Sequence, residues 1–349
     1  MKRTVTAALA LACCVTTAWA AEAPAPADSL APRDSLGPPP WKLTSVASLN
    51  LSQSSFSSNW AGGDKGSVVW VLGCDSKAER QMTRSMNWAT QLLLAYGQTL
   101  QQRAESATSD KLVWSNPQKT TDLIQLESVA RFTLGGWVDP YFSLRLDSQF
   151  RDESNPAGVI NFNPVKVTET AGIARAFQKT DERELISRLG FGFRETFARA
   201  IVDPVTLEKE SFSSNDGGFE WQTQATQPML QKKVLYKGKL LVFAPVFYSK
   251  ASDLKTFDAE ARALDPTRES VKDFWRTPDV NFQNQFTTQI TTLLAVNLIV
   301  QFVYDKYDQA TNVDPKLLLA DRIALVDRGV RKAGQLRQTL ALAFTYALF

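Results

Sequence analysis

From Trp41 onward the chain alternates hydrophobic and polar residues with a period of two. In residues 280–291, Val280, Phe282, Phe286, Thr288 and Ile290 fall on one side and Asn281, Gln283, Gln285, Thr287 and Gln289 on the other. Asn284 is the single polar residue on the greasy side. The pattern returns at 140–150 with Phe142, Leu144, Leu146 and Phe150, at 294–306 with Val296, Leu298, Val300, Phe302 and Tyr304, and at 334–348 with Leu336, Leu340, Leu342, Phe344, Tyr346 and Leu348. Side chains alternate across a strand and recur every 3.6 residues on a helix, so these stretches predict strands.

The alternation predicts twelve strands, near 41–52, 67–79, 85–102, 120–132, 138–150, 165–177, 184–199, 218–230, 234–249, 280–291, 294–306 and 334–349. Every second connection is short, around Arg80–Arg84, Thr133–Trp137, Gln178–Arg183, Gln231–Lys233 and Thr292-Leu293, and the other six read as longer loops, 200–217 among them. An even number of strands joined alternately by short turns and long loops is the pattern of an all-β, antiparallel, up-and-down transmembrane β-barrel. A water-soluble sandwich or lipocalin-like barrel also alternates, but it turns charged residues to water. Here the polar faces are rich in Gln, Asn, Thr and Ser, and the strands exceed the 9–11 residues or so that a tilted span requires. Beyond Trp41 no run of 18 apolar residues offers a helical span.

In a barrel of this kind the polar face lines the lumen, which places Glu127, Arg131, Arg145, Asp147, Arg188, Arg194 and Glu220 inside. Both signs occur, so a conducting lumen is expected to be weakly selective, and mutual pairing into a closed network is the plainer expectation. Trp137, Trp221, Tyr236, Tyr248 and Tyr304 lie near strand ends, where aromatic girdles form. In 315–331, Leu319, Ile323, Val326 and Val330 follow Asp314-Pro315 at helical spacing. They predict a short amphipathic helix that either plugs the barrel or packs on its rim.

The N-terminus differs from the rest. Lys2-Arg3, an apolar stretch from Val5 to Val15 and Ala18-Trp19-Ala20 read as a signal peptide over residues 1–20, cleaved near Ala20. A lipoprotein site at Cys14 is the rival, but Cys13 stands where a small residue is expected. Residues 21–40 carry six prolines and read as a Pro/Ala-rich linker, leaving 41–349 as the barrel. Cleavage takes Lys2 and Arg3 from a net charge of +3, leaving +1, and leaves Cys74 as the one thiol. A single thiol forms no internal disulfide, and Cys74 reads as a small hydrophobe on a strand. Near-neutral charge argues against a nucleic-acid partner. The chain has no histidine, which removes the commonest general base and imidazole metal ligand, so neither an enzyme nor a metal or cofactor is expected.

Ser48-Leu49-Asn50-Leu51-Ser52-Gln53, followed by Asn59-Trp60-Ala61-Gly62-Gly63, resembles the opening of an uncharacterised domain-of-unknown-function family of bacterial outer-membrane barrels. The resemblance implies architecture and location in a Gram-negative-type outer membrane, with no activity attached. Asn59, Trp60, Gly62 and Gly63 suit a tight loop that tucks an amphipathic ring against the rim. The terminal Phe349 suits recognition by the outer-membrane assembly machinery, and membrane lipid is the other expected partner. The expected role is a weakly selective channel or a gated, plugged pore for small solutes. The alternative is a non-conducting docking barrel that works through its long loops.

Overall fold

A computed structural model describes residues 40–54, 66–106, 109–155, 157–180, 182–203 and 206–348. Twelve strands follow in chain order: β1 (Lys42–Ser54), β2 (Ser67–Thr83), β3 (Met86–Ser106), β4 (Gln118–Phe132), β5 (Asp139–Ser148), β6 (Val165–Lys179), β7 (Glu184–Asp203), β8 (Glu208–Met229), β9 (Val234–Tyr248), β10 (Asp279–Gln289), β11 (Leu294–Tyr304) and β12 (Gln335–Ala347). Each pairs antiparallel with the next, and β12 returns to β1 in the register Val46↔Ala347 to Leu51↔Leu342, which closes the barrel. Closure leaves no unpaired sheet edge in lipid, where an unsatisfied backbone group is costly. The sequence-predicted signal peptide, linker, Asn59–Gly63 motif and Phe349 lie outside the described residues.

Pairing fixes which face each residue takes. Val46, Asp75, Leu93, Gln125 and Asp147 stand directly opposite one another on successive strands, and all face the lumen. The opposite face carries exposed Leu72, Phe142, Leu144, Leu189, Phe191, Phe219 and Leu340, so the barrel wears its large apolar residues on the outside. Cys74 shares that outward face of β2, with Sγ 3.4 Å from the Ser76 hydroxyl. Polar groups on this face find partners: Trp88 Nε1 donates to Ser128 Oγ at 2.9 Å, and Trp221 Nε1 to Ser187 Oγ at 3.0 Å. Asn284, the exception in the alternation, accepts a 2.8 Å hydrogen bond from the Tyr236 hydroxyl. That ring crosses Gly238, the residue opposite Asn284, where a Cβ would stand 2.3 Å from the Tyr236 oxygen.

One expected connection needs correction. Residues 200–217 do not form a long loop: β7 and β8 run on as a hairpin, paired from Phe193↔Gly217 to Asp203↔Glu208. One span needs only about 10 residues, the length of β5, whereas β7 has 20 and β8 has 22. Strand that projects beyond lipid needs no greasy face, so its alternation fades and it reads as loop. Within 315–331 the helix that the spacing predicts, α2, spans Leu319–Gly329.

α2 joins a second helix, α1 (Ala251–Leu264), and the turn Phe274–Arg276 in a lid built from the β9–β10 and β11–β12 connections. Leu254, Phe257, Ala261, Val271, Trp275, Tyr307, Val313 and Val326 form its core with Tyr248. Tyr248 therefore belongs to this core and not to an aromatic girdle. Among the described residues this is where side chains pack inward as in a water-soluble domain. Arg322 pairs with Glu260 at 2.6 Å, Arg268 pairs with Asp327, and the Asp258 carboxylate accepts from Ser270 Oγ and the Val271 amide.

Candidate functional site: the lumen network

All seven charged residues assigned to the lumen stand on the inward face, and five of them share one connected network. Arg145 on β5 reaches Glu220 on β8 (Nη2–Oε2 2.6 Å) and also Asp147 (Nε–Oδ2 3.1 Å). Asp147 accepts from Gln125 Nε2 at 2.5 Å, and Gln125 Oε1 accepts from Lys239 Nζ on β9 at 3.1 Å. Lys239 lies 3.7 Å from Glu127, whose other oxygen takes a 2.5 Å bond from Arg188 on β7. Thr170 donates to Glu220 Oε1 at 3.2 Å. Three carboxylates and three cations thus form chords across one half of the bore with balanced formal charge. Glu127, Arg145, Arg188 and Glu220 are buried, which a charged group tolerates only when paired.

Arg194 anchors a second layer toward the lid. Its guanidinium grips Asp216 through two bonds of 2.8 and 2.5 Å, reaches Asp279 at 3.0 Å, and lies 4.3 Å from the centre of the Phe243 ring. Arg131 sits apart from the central network, 3.8 Å from Asp139 near the short-turn end, where Lys77 also pairs with Glu79 at 3.2 Å. Tyr141 fills the wall between. Its hydroxyl would stand 2.8 Å from a Cβ at Gly190, so glycine there lets the ring lie flat against the strand.

The opposite half of the bore is open. A cavity of about 450 Å³ is lined by the amides of Gln91, Gln224, Gln283 and Gln285 together with charged side chains of both signs, Asp75 and Glu184 against Lys77, Lys237 and Lys239. Lys239 in the network, and Asp216 and Asp279 in the second layer, are charged partners that the sequence assignment omitted. Lys239 was within reach of sequence reading, since it shares the inward pleat of β9 with Lys237. Asp279 was not, because its role depends on Arg194 being brought to it from 85 residues away.

The lid closes over the upper layer. Ser214 Oγ on β8 donates to the Gln309 carbonyl at 2.7 Å, Ser249 and Asn215 exchange two bonds of 2.8 Å, and Lys166 on β6 pairs with Asp308 at 3.4 Å. Burial alone would raise the Asp308 carboxyl, but the Lys166 ammonium and the Ala310 amide outweigh it and hold the group below its ordinary range. Among the described residues no grouping of three or more Cys, Asp or Glu is arranged to hold a metal, and no helix is long and apolar enough to cross a membrane.

Residues 51–153 match the family described as Protein of unknown function (DUF3078), a stretch that takes in the Asn59-Trp60 and Gly62-Gly63 motif. No curated protein matches the chain. Among solved structures, the COG4313 outer membrane channel from Pseudomonas putida F1 is similar at 12% identity, covering 92% of this chain and 100% of that one, with a TM-score of 0.41. The beta domain of the Bordetella autotransporter BrkA follows at 10% identity, covering 87% and 98%, with a TM-score of 0.29. Pseudomonas putida OprB in its low-pH structure follows at 8%, covering 88% and 92%, with a TM-score of 0.24. The chain is a closed antiparallel β-barrel that turns its large apolar residues outward, and its residues 51–153 are similar to a family of unknown function.

Proposed function

We propose that the protein is an outer-membrane pore for small polar solutes, narrowed by the lumen network and covered by the lid. The observation that carries this reading is the asymmetry of the bore: balanced ion pairs close one half, and a polar cavity of about 450 Å³, lined by amides and by charges of both signs, stands open beside them. Twelve strands lie between the eight that side chains fill and the sixteen or more that leave a wide channel. Paired charges of both signs offer a passing ion no net field, so selectivity is weak. The signal peptide delivers the chain to the periplasm, and β12 with Phe349 presents it to the assembly machinery.

Proteoliposome swelling tests the reading. Entry of small polyols that falls off with solute size supports a narrow pore, and no swelling with the smallest polyol contradicts it. A non-conducting docking barrel is the second reading. It is favoured by the β7–β8 hairpin, which continues six residues of β7 beyond the last partner on β6, at Phe197↔Val165.

A further inference from the structure

A second cavity, of about 560 Å³, lies outside the lumen network between α2, the β7–β8 hairpin and the 149–164 connection. Arg199, Arg328 and Arg331 line it. Among the described residues their side chains donate only to backbone carbonyls: Arg199 to Asn161 at 2.6 Å and Phe162 at 3.5 Å, Arg328 to Ala324 at 3.1 Å, and Arg331 to Arg328. Among the described residues no carboxylate comes within ion-pair distance of the three. A guanidinium carries five donors in a fork that matches an oxyanion.

The acids in the same wall are already engaged. Asp152 accepts from Asn163 Nδ2 at 2.6 Å and the Ser154 amide at 3.0 Å, Glu153 pairs with Arg151 at 3.3 Å, and Asp308 is held by Lys166 and the Ala310 amide. Lys119 is likewise paired with Asp122 at 3.3 Å. Arg331 acts on the Asp308 carboxylate in the same wall, which leaves Arg199 and Arg328 as the cations of the cavity with no carboxylate partner among the described residues. Between them, Ile160, Phe212 and Leu325 supply an apolar floor. The volume falls within the range of ordinary small-molecule sites.

We infer that this vestibule is a binding site for small organic oxyanions, in which Arg199, Arg328 and Arg331 hold a carboxylate or phosphate and the apolar floor takes the body of the ligand. Of the Lys166–Asp308 pair only Asp308 lines the cavity, and no member of the central lumen network does, so binding there does not require the lumen to conduct. The test is equilibrium dialysis of the purified full chain in detergent, with benzoate as probe, benzamide as its neutral counterpart and inorganic phosphate as an oxyanion without an apolar body.

Benzoate binds saturably and more tightly than either control. The triple variant Arg199→Gln/Arg328→Gln/Arg331→Gln weakens it at least about tenfold, one good bidentate contact's worth. The triple Arg→Lys variant, which keeps charge but loses the fork, falls between. Heat-shifted gel mobility confirms that each variant is folded, and if the triple is not, the three single Arg→Gln variants each bind less tightly than the parent. Equal binding of benzoate and benzamide, or unchanged benzoate affinity in the folded variants, overturns the assignment. Absence of polyol entry with benzoate binding intact would count against the pore and leave the vestibule site standing.

Discussion

Arg145 joins β5 to β8 through Glu220 and holds Asp147 in place with its second contact. Removing one partner of a buried pair leaves the other charge uncompensated, at a cost of about 3–5 kcal/mol. Arg145→Ala is therefore expected to lower unfolding stability in detergent by about that amount, read from urea titration. Replacing both Arg145 and Arg188 with Ala leaves Glu220, Asp147 and Glu127 unopposed by their guanidiniums. Reversal potentials in a salt gradient should then shift toward cation preference, and an unchanged potential would remove these residues from the conduction path. On the lipid side, Tyr236→Phe strips Asn284 of its donor and should cost on the order of 1 kcal/mol or more.

At the level of elements, the lid and the barrel differ in how they are stabilised. Phe257 is fully buried in the lid core, so Phe257→Ala is expected to cost about 3–5 kcal/mol there. Lid connections 249–278 should become protease-sensitive while the barrel keeps its heat-shifted mobility. The Asp308 contact has a defined pH dependence. Because the folded carboxyl is held below its ordinary range, its stabilisation is present above that range and is lost as pH falls through the lowered value. Protection of the lid should be constant from neutral pH to about pH 5 and decline only below about pH 4.

These elements also mark what could be read from sequence. Strands crossing lipid keep a strict greasy face, and β5, β10 and β12 were plain in the alternation. The outer parts of β7 and β8, such as Glu208–Asn215, run beyond the length of one span and carry no such signature. α2 could be recognised by its spacing, but its partners could not. Val326 meets Phe257 and Tyr307 only because two connections separated by β10 and β11 fold together. Lumen charges could be assigned to a face by parity alone. Which acid each base grips depends on the curvature of the barrel.

For the molecule as a whole, closure of β12 on β1 and a lumen network of balanced formal charge describe a barrel that holds together with no disulfide among the described residues. Folded barrel should migrate faster than heat-denatured chain on a detergent gel, and identical mobility would contradict closure. The most direct test of the pore itself is single-channel recording of the purified full chain in a planar bilayer, beside its Arg145→Ala/Arg188→Ala variant. Small, weakly selective current steps in the parent and larger steps in the variant are expected. Silence from both proteins across several salts, with folded barrel shown in the same membranes, would contradict the account.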